Sequence, residues 1–182
     1  MFVDRMGKML IWSLGAAIFN VLFFHYFRCI EFPLFMDSIG TALVAALFGP
    51  AAGVGTALLT HLGLEMWSGF EWLYAPWVLC SISTALIIGG AVRLNRFSSV
   101  SHLVIVVLLV SFVNALCGAL LHTLLYGGFA DHSTDRIVRG FQLLTGDLLW
   151  ASFWARVPLN IVDKGLAVLI AFILSRRLSD EA

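Results

Sequence analysis

The sequence predicts an all-α integral membrane protein with six transmembrane helices and both termini in the cytoplasm. Three observations predict it. Hydrophobic residues make up 60% of the 182 residues and charged residues only 12%, against roughly 25% charged in a soluble domain. The apolar residues fall in runs of membrane-spanning character, separated by short polar or aromatic breaks. Lysine and arginine then gather in alternate connections, as cytoplasmic loops require. The length suits a single membrane domain over 1–182. A formal net charge of zero gives no sign of a nucleic-acid partner.

The first helix is expected over about 9–28. It follows Arg5 and Lys8 and continues through Phe27 without a small-residue cleavage site, so it is expected to remain as a helix rather than be removed. The stretch "RCIEFP" ends it, with Pro33 stopping the helix. Residues 36–65 form a long apolar run with Gly49-Pro50 at its centre. Read as one kinked helix, the chain has five spans. Read as a tight turn between helices at 36–48 and 51–65, it has six. With six spans, Arg5, Lys8, Arg93, Arg96, Arg176 and Arg177 all fall on the cytoplasmic side, whereas Arg28, Arg136, Arg139 and Arg156 fall outside or at the outer interface. Six spans therefore fit better. The second and third helices are then only about 20–22 Å long, short of a hydrocarbon core of about 30 Å, and need local thinning of the bilayer or cover from neighbours. Further helices are expected at 77–93, 102–126 and 157–176, the last starting near Pro158. A long outer segment covers 127–153. The acids Glu31, Asp37, Glu65, Glu71, Asp131, Asp135 and Asp147 also collect on the outer side, so the elaborate surface faces outward. The lack of an internal repeat argues against an autonomous secondary transporter.

The candidate site starts from Asp163 and Lys164, adjacent charges inside an apolar helix. Intramembrane charges are costly and usually functional. Neighbours on a helix point about 100° apart, so each is expected to find its partner elsewhere: another helix, a ligand or cavity water. A structural ion pair is the plainer alternative. Asn160 lies three and four residues before them and can border the same cavity. His61 and Glu65 share a face at i and i+4. With His122 or His132 they could hold a metal, but a hydrogen-bonded pair capping a cavity is the simpler reading. Asn114 and His122 share a face of the fifth helix and need polar partners. In the 66–76 loop and just beyond stand Trp67, Phe70, Trp72, Tyr74 and Trp77, which suit either a headgroup belt or stacking on a flat ligand. Small residues spaced four apart (Ser13 and Ala17; Ala42 and Ala46; Gly53 and Ala57; Ser111, Ala115 and Ala119) allow close helix packing, within the chain or against a partner. Cys29, Cys80 and Cys117 have no metal spacing and read as small apolar residues. No phosphate loop, G-x-S-x-G elbow or H-E-x-x-H motif is present, so neither an enzyme nor a resident cofactor is expected.

Two blocks carry a family resemblance. "FPLFMDSIGTALVAALFGPAAGVGTALLTH" resembles the second and third helices of substrate-binding S components of energy-coupling factor (ECF) vitamin transporters, which often read "P-x-x-L-D-T-I-G-T" followed by "G-P". "RVPLNIVDKGLAVLIAFIL" resembles their last helix, with its "I-P-x-N-x-x-D-K" start. Together the blocks cover about a quarter of the chain. Where the family has an alanine pair on the first helix, this chain has Ser13 and Ala17. The resemblance implies a six-helix protein of the bacterial cell membrane. It would bind a vitamin or similar micronutrient beneath the outer loops after helices 1, 3 and 5. It would work with a membrane coupling subunit and two cytoplasmic ATPases, toppling in the membrane to release its cargo. Asn160, Asp163 and Lys164 would then line the cavity, with Asn114, His122, His61 and Glu65 facing them, Trp67 or Trp72 covering the ligand, and Asp37 contributing from the outer acids. On that reading Lys164→Met abolishes binding and leaves folding intact. An S-component-like sensor module and a solitary transporter are the alternatives.

Overall fold

A computed structural model describes residues 2–127 and 133–180, of which all regular structure is helical. Helix α1 spans Phe2–Cys29, α2 Ile39–Phe48, α3 Pro50–Trp67, α4 Val78–Arg93, α5 Val100–Tyr126, α6 Thr134–Thr145 and α7 Leu148–Asp180, with a 3₁₀ turn at Ala75–Trp77 before α4. Among the described residues, the stretches Asp4–Cys29, Ala75–Arg93, Val100–Tyr126 and Leu148–Leu178 are long and apolar enough to cross a membrane, and Ile39–Phe48 is a shorter apolar helix. The predicted His132 and Asp131 lie outside the described residues.

Gly49-Pro50 makes a tight turn. Gly49 adopts φ 96°, ψ 175°, and Pro50 opens α3 at its first position, where its missing N–H and fixed φ cost nothing. The chain then reverses: a Cβ on Gly53 would come within 2.6 Å of the Ala45 Cβ, whereas eight residues of straight helix would hold these positions about 12 Å apart. Gly89 of α4 packs directly on this turn, since a Cβ there would meet the Pro50 nitrogen at 2.6 Å.

Helix α2 has ten residues, about 15 Å. It packs against α1, α3, α4 and α7, and seven of its ten residues are buried. The cover a short helix needs therefore comes from protein. Asn20 of α1 ties the hairpin down. Its Nδ2 donates to Thr41 Oγ1 of α2 and Thr60 Oγ1 of α3, each at 3.1 Å. Its Oδ1 accepts the Gly40 N–H at 2.8 Å. That amide lies in the first turn of α2, where no intrahelical acceptor exists. Gly40 permits the approach, because a Cβ would sit 2.6 Å from the Ala16 carbonyl oxygen. Ser13, Ala17, Ala42, Ala57, Ser111, Ala115 and Ala119 are buried within the chain, so these small-residue faces serve internal packing.

The last helix departs from the sequence expectation. It begins at Leu148 rather than near 157, and Pro158 lies inside it. Pro158 removes one backbone donor, but membrane helices tolerate proline where neighbours satisfy the freed groups. The long segment between α5 and α7 contains a helix of its own, α6, which packs on α7.

If Asn20 is the pin for the hairpin, Asn20→Leu strands the Gly40 amide and frees two buried threonines. The expected loss is about 1–3 kcal/mol, read as a lower midpoint of thermal unfolding in detergent.

Candidate functional site

A cavity opens at the end of the bundle where α1, α3 and α5 finish and α7 begins. Its volume is about 70 Å³, smaller than the roughly 300–1,000 Å³ of drug-sized ligand sites. Each wall is set by helical periodicity. Arg156, Asn160 and Lys164 stand four residues apart on α7, Asn114 and Gly118 four apart on α5, and Phe24 and Arg28 four apart on α1. His61 and Leu64 enter from α3, Phe35 and Asp37 from the α1–α2 linker, and Tyr74 and Trp77 from the segment before α4.

The lysine is fully engaged. Lys164 Nζ lies 2.8 Å from Ser38 Oγ and 3.3 Å from Asp37 Oδ1. It also lies 2.6 Å from Asp163 Oδ2. The expectation that the adjacent charges do not meet is therefore corrected: the flexible four-carbon stem of lysine curls back across the 100° separation. Asp163 does not reach the cavity wall. Its Oδ1 accepts the Met36 N–H at 2.7 Å, holding a linker residue at φ 52°, a left-handed conformation unfavourable for methionine. The pair is thus a clamp on residues 36–38 that also lends one charged side chain to the cavity. Lys164→Met then confounds binding with folding, contrary to the expectation from sequence.

His61 and Glu65 form a clip rather than a metal site. His61 Nδ1 is 2.9 Å from the Tyr74 carbonyl oxygen and Nε2 is 3.0 Å from Ser81 Oγ, so Nδ1 donates to the carbonyl. Glu65 Oε1 accepts the backbone N–H groups of Tyr74 and Ala75. Both backbone groups of Tyr74 are therefore held by one face of α3. The Tyr74 hydroxyl accepts from Arg28 Nη1, and Phe24 packs edge-on against its ring at 5.4 Å. Tyr74 forms the roof. Among the described residues no three His, Cys, Asp or Glu side chains converge as metal ligands.

The remaining candidates divide. Asn114 lines the cavity; its Nδ2 bonds Ser83, Thr84 and the Val110 carbonyl, and its buried Oδ1 has no partner. His122 lies behind the wall, with Nε2 3.1 Å from Asp135 Oδ1 and Nδ1 3.2 Å from Ser152 Oγ. Trp67 is 65% exposed and Trp72 77%; neither lines the cavity. Trp67 stacks on His25. The tryptophan that does line it is Trp77, stacked on Tyr126 at 5.6 Å.

Residues 7–175 match the family described as ECF transporter, substrate-specific component. The chain belongs to that family. No curated protein and no solved structure matches it. The substrate-specific component is a multi-pass membrane protein and a transporter subunit, in a family that works on small-molecule substrates with coupling and ATPase subunits.

Sequence reasoning missed Arg156 and passed over Trp77 for its neighbours. Arg156 is assigned from sequence to the outer interface, but it is 1% exposed and faces the cavity. Its spacing from Asn160 and Lys164 was the available signal. It was hidden by starting the helix at Pro158.

Lys164→Met leaves Asp37 and Asp163 buried without their cation, an expected loss of about 3–5 kcal/mol. Adding Asp37→Asn and Asp163→Asn to that variant should recover much of it, because the side-chain amide oxygen introduced at position 163 still accepts the Met36 N–H. Thermal unfolding of the two variants side by side measures both effects.

Proposed function

We propose that this substrate-specific component captures a vitamin or related small micronutrient at the outer face of the bacterial cell membrane and hands it to a membrane coupling subunit driven by two ATPases. The observation that carries the reading is the roofed cavity. It combines aromatic walls at Phe35, Tyr74, Trp77 and Tyr126 with polar groups from Asn114, Asn160, Arg156 and Lys164. Such a mixture of apolar walls and a few convergent polar groups suits the orientation of a small organic molecule.

In this proposal α1, α2, α3, α4, α5 and α7 are the six spans and both termini are cytoplasmic. Charge supports the orientation. Arg5, Lys8, Arg93, Arg96, Arg176 and Arg177 are exposed. A shallow groove lined by Ala46, Asn95, Phe97, Ser98, Ser175 and Arg176 gathers the α2–α3 turn, the α4–α5 connection and the end of α7 at one pole. That pole suits the cytoplasmic side, with the cavity outward.

Native mass spectrometry of the full chain, extracted into detergent and in parallel into lipid nanodiscs, tests the capture reading. One vitamin-sized compound per chain is the expected result, and protein empty in both preparations counts against capture. Co-expression with a coupling subunit and ATPases should yield a complex on purification. With the released compound as probe, Asn160→Leu should weaken binding more than tenfold, while loss of its 2.9 Å bond to the Arg156 carbonyl should cost only about 0.5–1.5 kcal/mol of stability. Trp67→Ala and Trp72→Ala should change it less than threefold.

A further inference from the structure

Arg156 stands out among the charged groups of the cavity because every nearby carboxylate is engaged elsewhere. Asp37 and Asp163 meet Lys164. Glu65 is spent on the Tyr74 and Ala75 amides, and Asp135 on His122. Among the described residues no acid pairs with Arg156. The hydrogen bonds of its side chain run from Nη1 to Ser152, at 2.7 Å to Oγ and 3.5 Å to the carbonyl. Nε is buried with no acceptor. A guanidinium carries five N–H donors in a planar fork, so the described residues use only part of its capacity.

The surroundings hold this fork in place. Its Cζ lies 5.7 Å from the Trp77 ring centroid, so the ring covers one face and the N–H edge stays available. Gly118 supplies the room, since a Cβ there would stand 3.2 Å from both Cδ and Nε of Arg156. Below, Ser152 passes a hydrogen bond to His122 and His122 to Asp135, fixing Nη1 from behind. A buried, held cation that no described acid pairs, in a membrane-embedded cavity, calls for an anionic partner.

We propose that Arg156 is an anion anchor, and that the cargo is a small organic acid whose carboxylate docks on the guanidinium edge. The proposal rests on the capture reading above and narrows it to a substrate class. Arg28, on the wall beneath the roof, adds a second positive charge to the approach. The free Oδ1 of Asn114 asks the same ligand for an N–H or O–H donor. A carboxylate suits the site because it takes two parallel N–H bonds from one arginine.

The test uses acid and amide pairs of matched shape: benzoate with benzamide, 1-naphthoate with 1-naphthamide, and hexanoate with hexanamide. Each is measured by equilibrium dialysis against the full chain in nanodiscs, with empty nanodiscs correcting for lipid partition. At least one acid should bind ten or more times as tightly as its amide. Arg156→Gln should bring that ratio within twofold. Gly118→Ala keeps the charge but displaces Cδ and Nε, and should reduce acid binding several-fold even if the arginine variant fails to fold. Equal binding of acids and amides, or a preference that survives Arg156→Gln, overturns the anchor and leaves capture standing. Failure of every compound in the panel, acid and amide alike, overturns the anchor, while capture stands or falls on the compound found by native mass spectrometry.

Discussion

Three buried charges meet where α7 passes the α1–α2 linker, and the site depends on that meeting. Lys164 sits between Asp37 and Asp163, and Asp163 in turn grips the Met36 amide. An unpaired charge at this depth would be costly. Joined together, the three hold a nonhelical stretch of backbone inside the bundle, which membrane proteins tolerate only when neighbouring protein supplies its hydrogen bonds. That stretch delivers Phe35 and Asp37 to the cavity and places the start of α2 well inside the bundle.

The polar residues follow a division of labour that residue type alone does not reveal. Asp163, Glu65 and His122 hold other elements: a linker, a roof and a neighbouring serine and acid. Asn114, Asn160, Arg156 and Lys164 present atoms to the cavity. His61 does both, lining the wall and holding the Tyr74 carbonyl. A carboxylate beside backbone amides is well satisfied, so Glu65 has little left to offer a ligand. Asn114 Oδ1 and Arg156 Nε are buried without partners. These two atoms have capacity left for a ligand.

Much of this was legible in the sequence, and the misreadings have separate causes. The helical class, the turn at Gly49-Pro50 and the role of α7 in the cavity follow from apolar runs, turn chemistry and misplaced charges. The family blocks pointed the same way. What failed was the start of α7. In a soluble protein Pro158 would end or begin a helix, and taking it so assigned Arg156 to the surface. Asn20 gave no signal either, because its three partners lie on α2 and α3, far along the chain. The aromatic loop was too dense in tryptophan to separate: nothing in its composition tells Trp77, which turns inward, from Trp72, which turns out. That choice is made by the Glu65 and His61 clip, a tertiary contact.

The short α2 and the cavity are two sides of one constraint. Helices α1, α5 and α7 are long, 28, 27 and 33 residues, and carry exposed leucine, isoleucine and phenylalanine suited to lipid. Helix α2, the shortest of the apolar helices, is enclosed by four others, so its mismatch with a bilayer of about 30 Å is met by protein contacts. Lengthening α2 at its N-terminus by two turns would run helix through the positions of Asp37 and Phe35, which line the cavity. Such a helix would close the space beside Lys164 and remove the reason for the ion cluster. The bundle therefore trades a full-length helix for a hollow, and a short helix can sit there only because its neighbours shield it.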